Sequence, residues 1–149
     1  MPLLTIERFI PVPRQTLWRC WIEPELIGQW ACAAPWQVTQ AVQELRAGGS
    51  RLVVMQGPRG QEVAQRGVYL DVVGGRRLVF TDAFVRAWVP SDKASAVTTV
   101  TFANAAGGTQ YRLEVAHWSA ADRARHAATW ARQGWGAASE RLAALALRV

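Results

Sequence analysis

The chain reads as an α+β fold in which a curved antiparallel sheet is gripped by a long C-terminal helix. Three observations predict it. Residues 36–117 keep a two-residue apolar period, punctuated by turns carrying glycine and proline. No helical stretch interrupts that region, so its strands are joined as hairpins and pair as an antiparallel meander. The segment from Ser119 to Leu147 then lacks proline, is rich in alanine, leucine and arginine, and sets Trp135, Ala138, Leu142 and Leu145 on one helical stripe.

The first element is a strand, LLTIERFI at residues 3–10, which Pro11 and Pro13 end. Leu17, Trp18, Trp21 and Ile22 follow at helical spacing. Pro24 breaks that pattern and suits the first position of a second short helix ending near Trp30. Six strands come next. WQVTQAVQEL runs to Gly48-Gly49, RLVVMQ to the turn Gly57-Pro58-Arg59-Gly60, and EVAQRGVYLDVV to Gly74-Gly75. RRLVFTDAFV reads as one strand running to a loop around Pro90-Ser91-Asp92, SAVTTVTFA runs to Gly107-Gly108, and TQYRLEVAH closes the series. With the first strand this predicts a seven-stranded sheet.

Alternation is clearest in the last strand. Tyr111, Leu113, Val115 and His117 share one face, and Gln110, Arg112 and Glu114 the other, so one side is buried and one is wet. Ser119, with Asp122 in the first turn, makes an N-cap for the final helix, about 40 Å long at the α-helical rise.

At 149 residues the chain is expected to be a single domain, 1–149, large enough for its own core. Its 50% hydrophobic and 19% charged residues exclude a disordered chain. No apolar run is long enough to insert in a membrane, and Glu7 and Arg8 inside the N-terminal apolar stretch argue against a signal peptide; the expected location is cytoplasmic. The net charge of +6 comes from sixteen arginines and Lys93, scattered with no run longer than Arg76-Arg77. A nucleic-acid surface would cluster them, so no nucleic-acid partner is expected. Cys20 and Cys32 read as free thiols, too few and too far apart for a disulfide framework or a zinc site.

Catalytic signatures are missing from the sequence: no Gly-x-Ser-x-Gly, no His-Glu-x-x-His and no phosphate-cradling loop with lysine. His117 falls on the apolar face at a strand end, where a structural role suits it, and His126 among Arg123, Arg125 and Arg132 reads as solvated. Asp71 and Asp82 lie on neighbouring strands within reach of each other; they make a hydrolytic pair only if both point inward, and solvated positions are expected. No catalytic residue, metal ligand or cofactor is therefore assigned. The eight tryptophans are the anomaly. Trp18 and Trp21 suit the anchoring of the first helix and Trp135 that of the last; of the others, Trp30, Trp88 and Trp130 are the ones expected to contact a flat apolar ligand.

A twisted sheet of seven strands curls, and one helix laid across its concave side does not fill the space beneath it. That geometry predicts an apolar cavity closed at one end by the two short helices. The expected contacts are Trp30, Met55, Tyr69, Phe80, Phe102, Tyr111, Leu113, His117 and Trp130.

The chain also resembles the family named after the activator of the heat-shock-protein-90 ATPase, in the START-like (SRPBCC) superfamily of helix-grip folds. The resembling segments are Arg8-Phe-Ile-Pro-Val-Pro with Leu17-Trp18, Glu23-Pro-Glu-Leu26 with Trp30, and Glu44-Leu-Arg-Ala-Gly-Gly49. Gly67-Val-Tyr69, Arg77-Leu-Val-Phe-Thr81, Gly107-Gly-Thr109 and Gly134-Trp135 with Leu142 and Leu145 follow in family order. Family members often carry aspartate where Glu44 stands, and a second tryptophan where Ala31 follows Trp30. The resemblance implies the same element order and a cavity that binds hydrophobic small molecules in many relatives, which include lipid carriers, cyclases and resistance proteins. It fixes the fold and leaves the chemistry open.

The expected function is non-enzymatic binding of a hydrophobic or aromatic small molecule, lipid-like or polyketide-like. The rival readings are an enzyme of hydrolase, cyclase or lyase type using the same cavity, with His117 or Tyr111 as acid or base, and a chaperone-associated interaction module, which needs an exposed apolar patch. Weak homodimerisation is compatible with each.

Overall fold

In the computed structural model, residues 3–91, 96–117, 121 and 131–149 are described. Strand β1 (Leu3–Ile10) leads into helices α1 (Arg14–Ile22) and α2 (Pro24–Ile27). Strands β2 (Gln37–Gln43), β3 (Ser50–Gln56), β4 (Glu62–Val73) and β5 (Arg77–Thr81) follow. A short ribbon, β6 (Phe84–Arg86) and β7 (Val89–Pro90), precedes β8 (Ala96–Ala105), β9 (Gly108–His117) and the C-terminal helix α3 (Ala131–Ala146).

Seven strands form one antiparallel sheet in the order β1-β9-β8-β5-β4-β3-β2. The meander runs from β2 to β9, and β1 pairs with the last strand. The turns do what their composition predicts: Gly48, Gly60, Gly75 and Gly107 all have φ between 71° and 83°, a region that costs glycine nothing. Glu23 ends α1 and precedes Pro24, the first residue of α2; its extended backbone (φ −85°, ψ 121°) is the conformation a following proline enforces.

One predicted strand is corrected. The run 76–85 does not continue straight: β5 stops at Thr81, the chain bends at Asp82 and Ala83, and Phe84–Pro90 folds into a separate two-stranded ribbon. The bend is held by side chains rather than by pattern. Thr81 Oγ1 donates to the Ala96 carbonyl at 2.9 Å and accepts from the Ala83 N–H at 3.1 Å, and Asp82 Oδ1 accepts from the Ala96 N–H at 3.1 Å. Asp71 is half-exposed, in keeping with the solvated reading. Asp71 is opposite Val79, three residues from Asp82 along the chain, and its carboxylate takes the Arg77 guanidinium at 2.7 Å.

The core lies between the helices and one face of the sheet. Leu17, Trp18, Cys20 and Trp21 of α1 and Ala138, Leu142, Leu145 and Ala146 of α3 are buried together with Tyr69, Leu78, Val100, Phe102, Tyr111 and Leu113. Trp135 packs partly buried against the same cluster, completing the predicted stripe. Sixteen residues of α3 span about 24 Å. The expected cap at Ser119, with Asp122, His126 and Trp130, lies outside the described residues.

Candidate ligand-binding site

Strand register decides which side chains can meet. Tyr69 pairs with Phe80, Phe80 with Thr98, and Thr98 with Val115. Phe102 pairs with Tyr111, Val100 with Leu113, and Ala96 with His117. Because side chains alternate along each strand, Met55, Tyr69, Phe80, Phe102, Tyr111, Leu113 and His117 all point to the helix side of the sheet. All seven are buried, and His117 is wholly enclosed. Met55 stands apart from the rest, in a second cluster with Ile27 and Val53 beneath α2.

Trp30 is also buried, but its polar handle is already used. Its indole N–H donates to the Cys20 carbonyl at 2.8 Å, and its ring lies 4.9 Å from that of Trp21. Arg141 Nε donates to the Trp30 carbonyl at 2.9 Å, tying α3 to the end of α2. Trp88 is elsewhere: it sits exposed on the β6–β7 turn with its ring edge-on to Phe84 at 5.6 Å.

The centre of the inner face is Trp21, which the sequence presented only as a helix anchor. Its ring approaches Phe80 at 6.1 Å, and Phe80 meets Tyr69 edge-on at 6.0 Å. Towards β1, Phe102 stacks on Tyr111 at 5.9 Å and meets Trp18 edge-on at 5.8 Å. This is an aromatic wall running from β4 to β9.

Polar atoms are set into that wall. The Tyr111 hydroxyl and the Trp21 indole N–H are enclosed and face each other, and neither reaches a well-aligned hydrogen bond among the described residues. Burial pushes the Tyr111 hydroxyl far above the usual phenol range, and hydrogen bonding from the Trp21 indole and the Ser139 hydroxyl opposes part of that shift. On β3, Arg51 is in phase with buried Val53 and Met55 and so turns inward; its guanidinium lies 4.5 Å over the Phe80 ring and 6.0 Å from Trp21. Burial lowers the Arg51 pKa and raises that of Tyr69, and each group partly offsets the other's shift. The Tyr69 hydroxyl donates to Gln43 Oε1, and Gln43 Nε2 donates to the Trp21 carbonyl at 3.1 Å. Sequence reading missed Arg51 because a basic residue opening a strand reads as its solvated end, although its parity with Val53 and Met55 was a usable signal.

Two openings lie mainly outside that inner face. One, of about 510 Å³, sits between β2–β4 and the β6 ribbon, bordered by Val42, Glu44, Arg51, Leu52, Arg66 and Arg86. The other, of about 490 Å³, is at the sheet end beside Arg14, Arg76 and Arg77. Among the described residues no cluster of His, Cys, Asp or Glu could hold a metal, and no helix is long and apolar enough to cross a membrane. Cys20 and Cys32 are free, and burial raises both thiols above the ordinary value.

The fold has close solved counterparts. A protein from Nitrosomonas europaea superposes with a TM-score of 0.91 at 29% identity, covering 98% of this chain and 94% of its own. A Rhodobacter sphaeroides protein gives 0.84 at 21% identity, covering 99% and 93%. An AHSA1-like protein from Aeromonas hydrophila gives 0.76 at 22% identity, again covering 99% and 93%. A comparison with curated proteins returns no match. The family model described as Activator of Hsp90 ATPase homolog 1-like protein matches residues 11–146, nearly the whole of the sheet and both helical segments. The chain belongs to that family.

Proposed function

We propose that the protein binds a small molecule with an apolar or aromatic body between the inner face of its sheet and the C-terminal helix. The observation that carries this reading is the pair of enclosed polar atoms, Trp21 Nε1 and Tyr111 Oη, set in an aromatic wall with only each other and the Ser139 hydroxyl as close polar neighbours among the described residues. Buried polar groups are almost always satisfied, and an apolar site with a few convergent donors is the usual form of a small-molecule pocket. The fold supports the same reading, since START-like domains commonly hold hydrophobic ligands.

Titration with the neutral fluorophore N-phenyl-1-naphthylamine tests it, with tryptophan emission as donor. Saturable binding of one probe per chain, competed by small amphiphiles, is the expected result. Probe emission that rises linearly without saturating removes the proposal.

A further inference from the structure

Resting on that reading, we infer that Arg51 receives an acidic group, so that the bound molecule is an amphiphile with an apolar body and a carboxylate end. The guanidinium faces two aromatic rings, at 4.5 Å and 6.0 Å, on the side of the sheet where the core is built. Among the described residues no carboxylate pairs with it, although the exposed arginines 8, 19, 46, 77 and 112 all have acidic partners. Its Nε is enclosed and makes no hydrogen bond among the described residues. Arg51 is half-buried, and arginine keeps its charge under all ordinary conditions, so the enclosed part of its guanidinium cannot escape desolvation by losing a proton.

The neighbours orient this cation without neutralising it. Tyr69 has given its one proton to Gln43, so its oxygen is left as an acceptor towards Arg51. One neutral oxygen serves a fork of five donors. The Phe80 face attracts the charge but accepts none of the remaining N–H bonds in line. Across the register Arg51 is opposite Gly67 on one side and Gln43 on the other, so its direct partner on β4 brings no side chain, and Tyr69 is the β4 residue that reaches it. A carboxylate fits such a planar fork with two parallel hydrogen bonds and supplies the missing charge.

The experiment compares a matched pair, dodecanoic acid and dodecan-1-ol, as competitors of N-phenyl-1-naphthylamine on the full chain at neutral pH. The acid is expected to bind roughly tenfold tighter than the alcohol, as a charge-assisted bidentate contact allows. Arg51→Met is expected to abolish the preference while alcohol affinity stays within about twofold, and Arg51→Lys to keep part of it. Equal affinity of the wild-type chain for acid and alcohol overturns this inference and leaves the cavity reading standing; that comparison needs no variant to fold. An acid preference undiminished in Arg51→Met overturns it as well. If neither compound displaces the probe and the probe itself does not saturate, both readings fall.

Discussion

Gly67 stands directly under the backbone of Thr81: a Cβ at Gly67 would come within 2.5 Å of the Thr81 carbonyl oxygen. This close approach lies where the chain leaves the sheet after β5. A backbone oxygen cannot swing aside as a side chain can, so the contact has no inexpensive relief. Gly67→Ala is expected to cost about 2 kcal/mol or more and to disturb the Thr81–Ala96 hydrogen bond. Urea unfolding of the variant beside Gly74→Ala, where an added Cβ meets nothing within 4 Å, separates the clash from the general effect of losing glycine. Equal losses at the two positions would refute the account.

Thr109 anchors the other end of the sheet. Its buried hydroxyl donates to the Val12 carbonyl at 2.7 Å, joining β9 to the segment that enters α1. Valine keeps the shape and deletes the donor, which leaves the Val12 oxygen without that partner. Thr109→Val should lower stability by about 1–2 kcal/mol. Thermal unfolding of the two proteins decides it, and an unchanged midpoint would mean that another donor replaces the hydroxyl.

The sheet was largely readable from sequence because each hairpin is written locally, in glycine turns and two-residue alternation, as Gly107 between β8 and β9 illustrates. What was not readable depended on contacts across the fold. The alternation of RRLVFTDAFV continues past Thr81, so nothing in the run's pattern announces the bend; the Ala96 backbone that the Thr81 and Asp82 side chains bind lies fourteen or fifteen residues further on. Trp30 looked available for a ligand because the acceptor of its N–H, the Cys20 carbonyl, becomes visible only once α1 and α2 fold against each other. Arg51 went unassigned because charge outweighs parity in a sequence pattern, whereas its position in the sheet is set by parity.

Glu44 gives a pH dependence whose sign is fixed by its bonds. Its carboxylate accepts the Ser50 N–H at 3.1 Å and the Arg46 guanidinium at 2.9 Å, closing the loop between β2 and β3. The backbone hydrogen bond first, and Arg46 second, hold its pKa below the ordinary 4.5. A depressed folded-state pKa means that the ionised form favours the folded chain; the contribution is full above 4.5 and disappears as pH falls through the lower folded value. Glu44→Gln should therefore unfold more readily than wild type near neutral pH, with the gap closing only below 4.5. Denaturation midpoints measured across that range test it, and a gap independent of pH would show that charge is not the cause.

Trp88 is the one described non-glycine residue with positive φ, at 64°, in the two-residue turn joining β6 to β7. The left-handed region is costly for any residue with a Cβ. Its indole offsets part of that cost by meeting Phe84 edge-on, and the ring also lies 3.9 Å from where a Cβ on Gly48 would be. Ring and backbone effects separate if two truncations are compared, since alanine and glycine both remove the indole but only glycine relieves the φ. Trp88→Gly should be more stable than Trp88→Ala by about 1 kcal/mol, whatever each loses relative to wild type. Guanidinium unfolding of the pair measures the difference. Alanine equal to or better than glycine would mean that the turn relaxes to negative φ once the ring is gone, so that the indole itself, through Phe84 and the Gly48 turn, holds the backbone in its strained form.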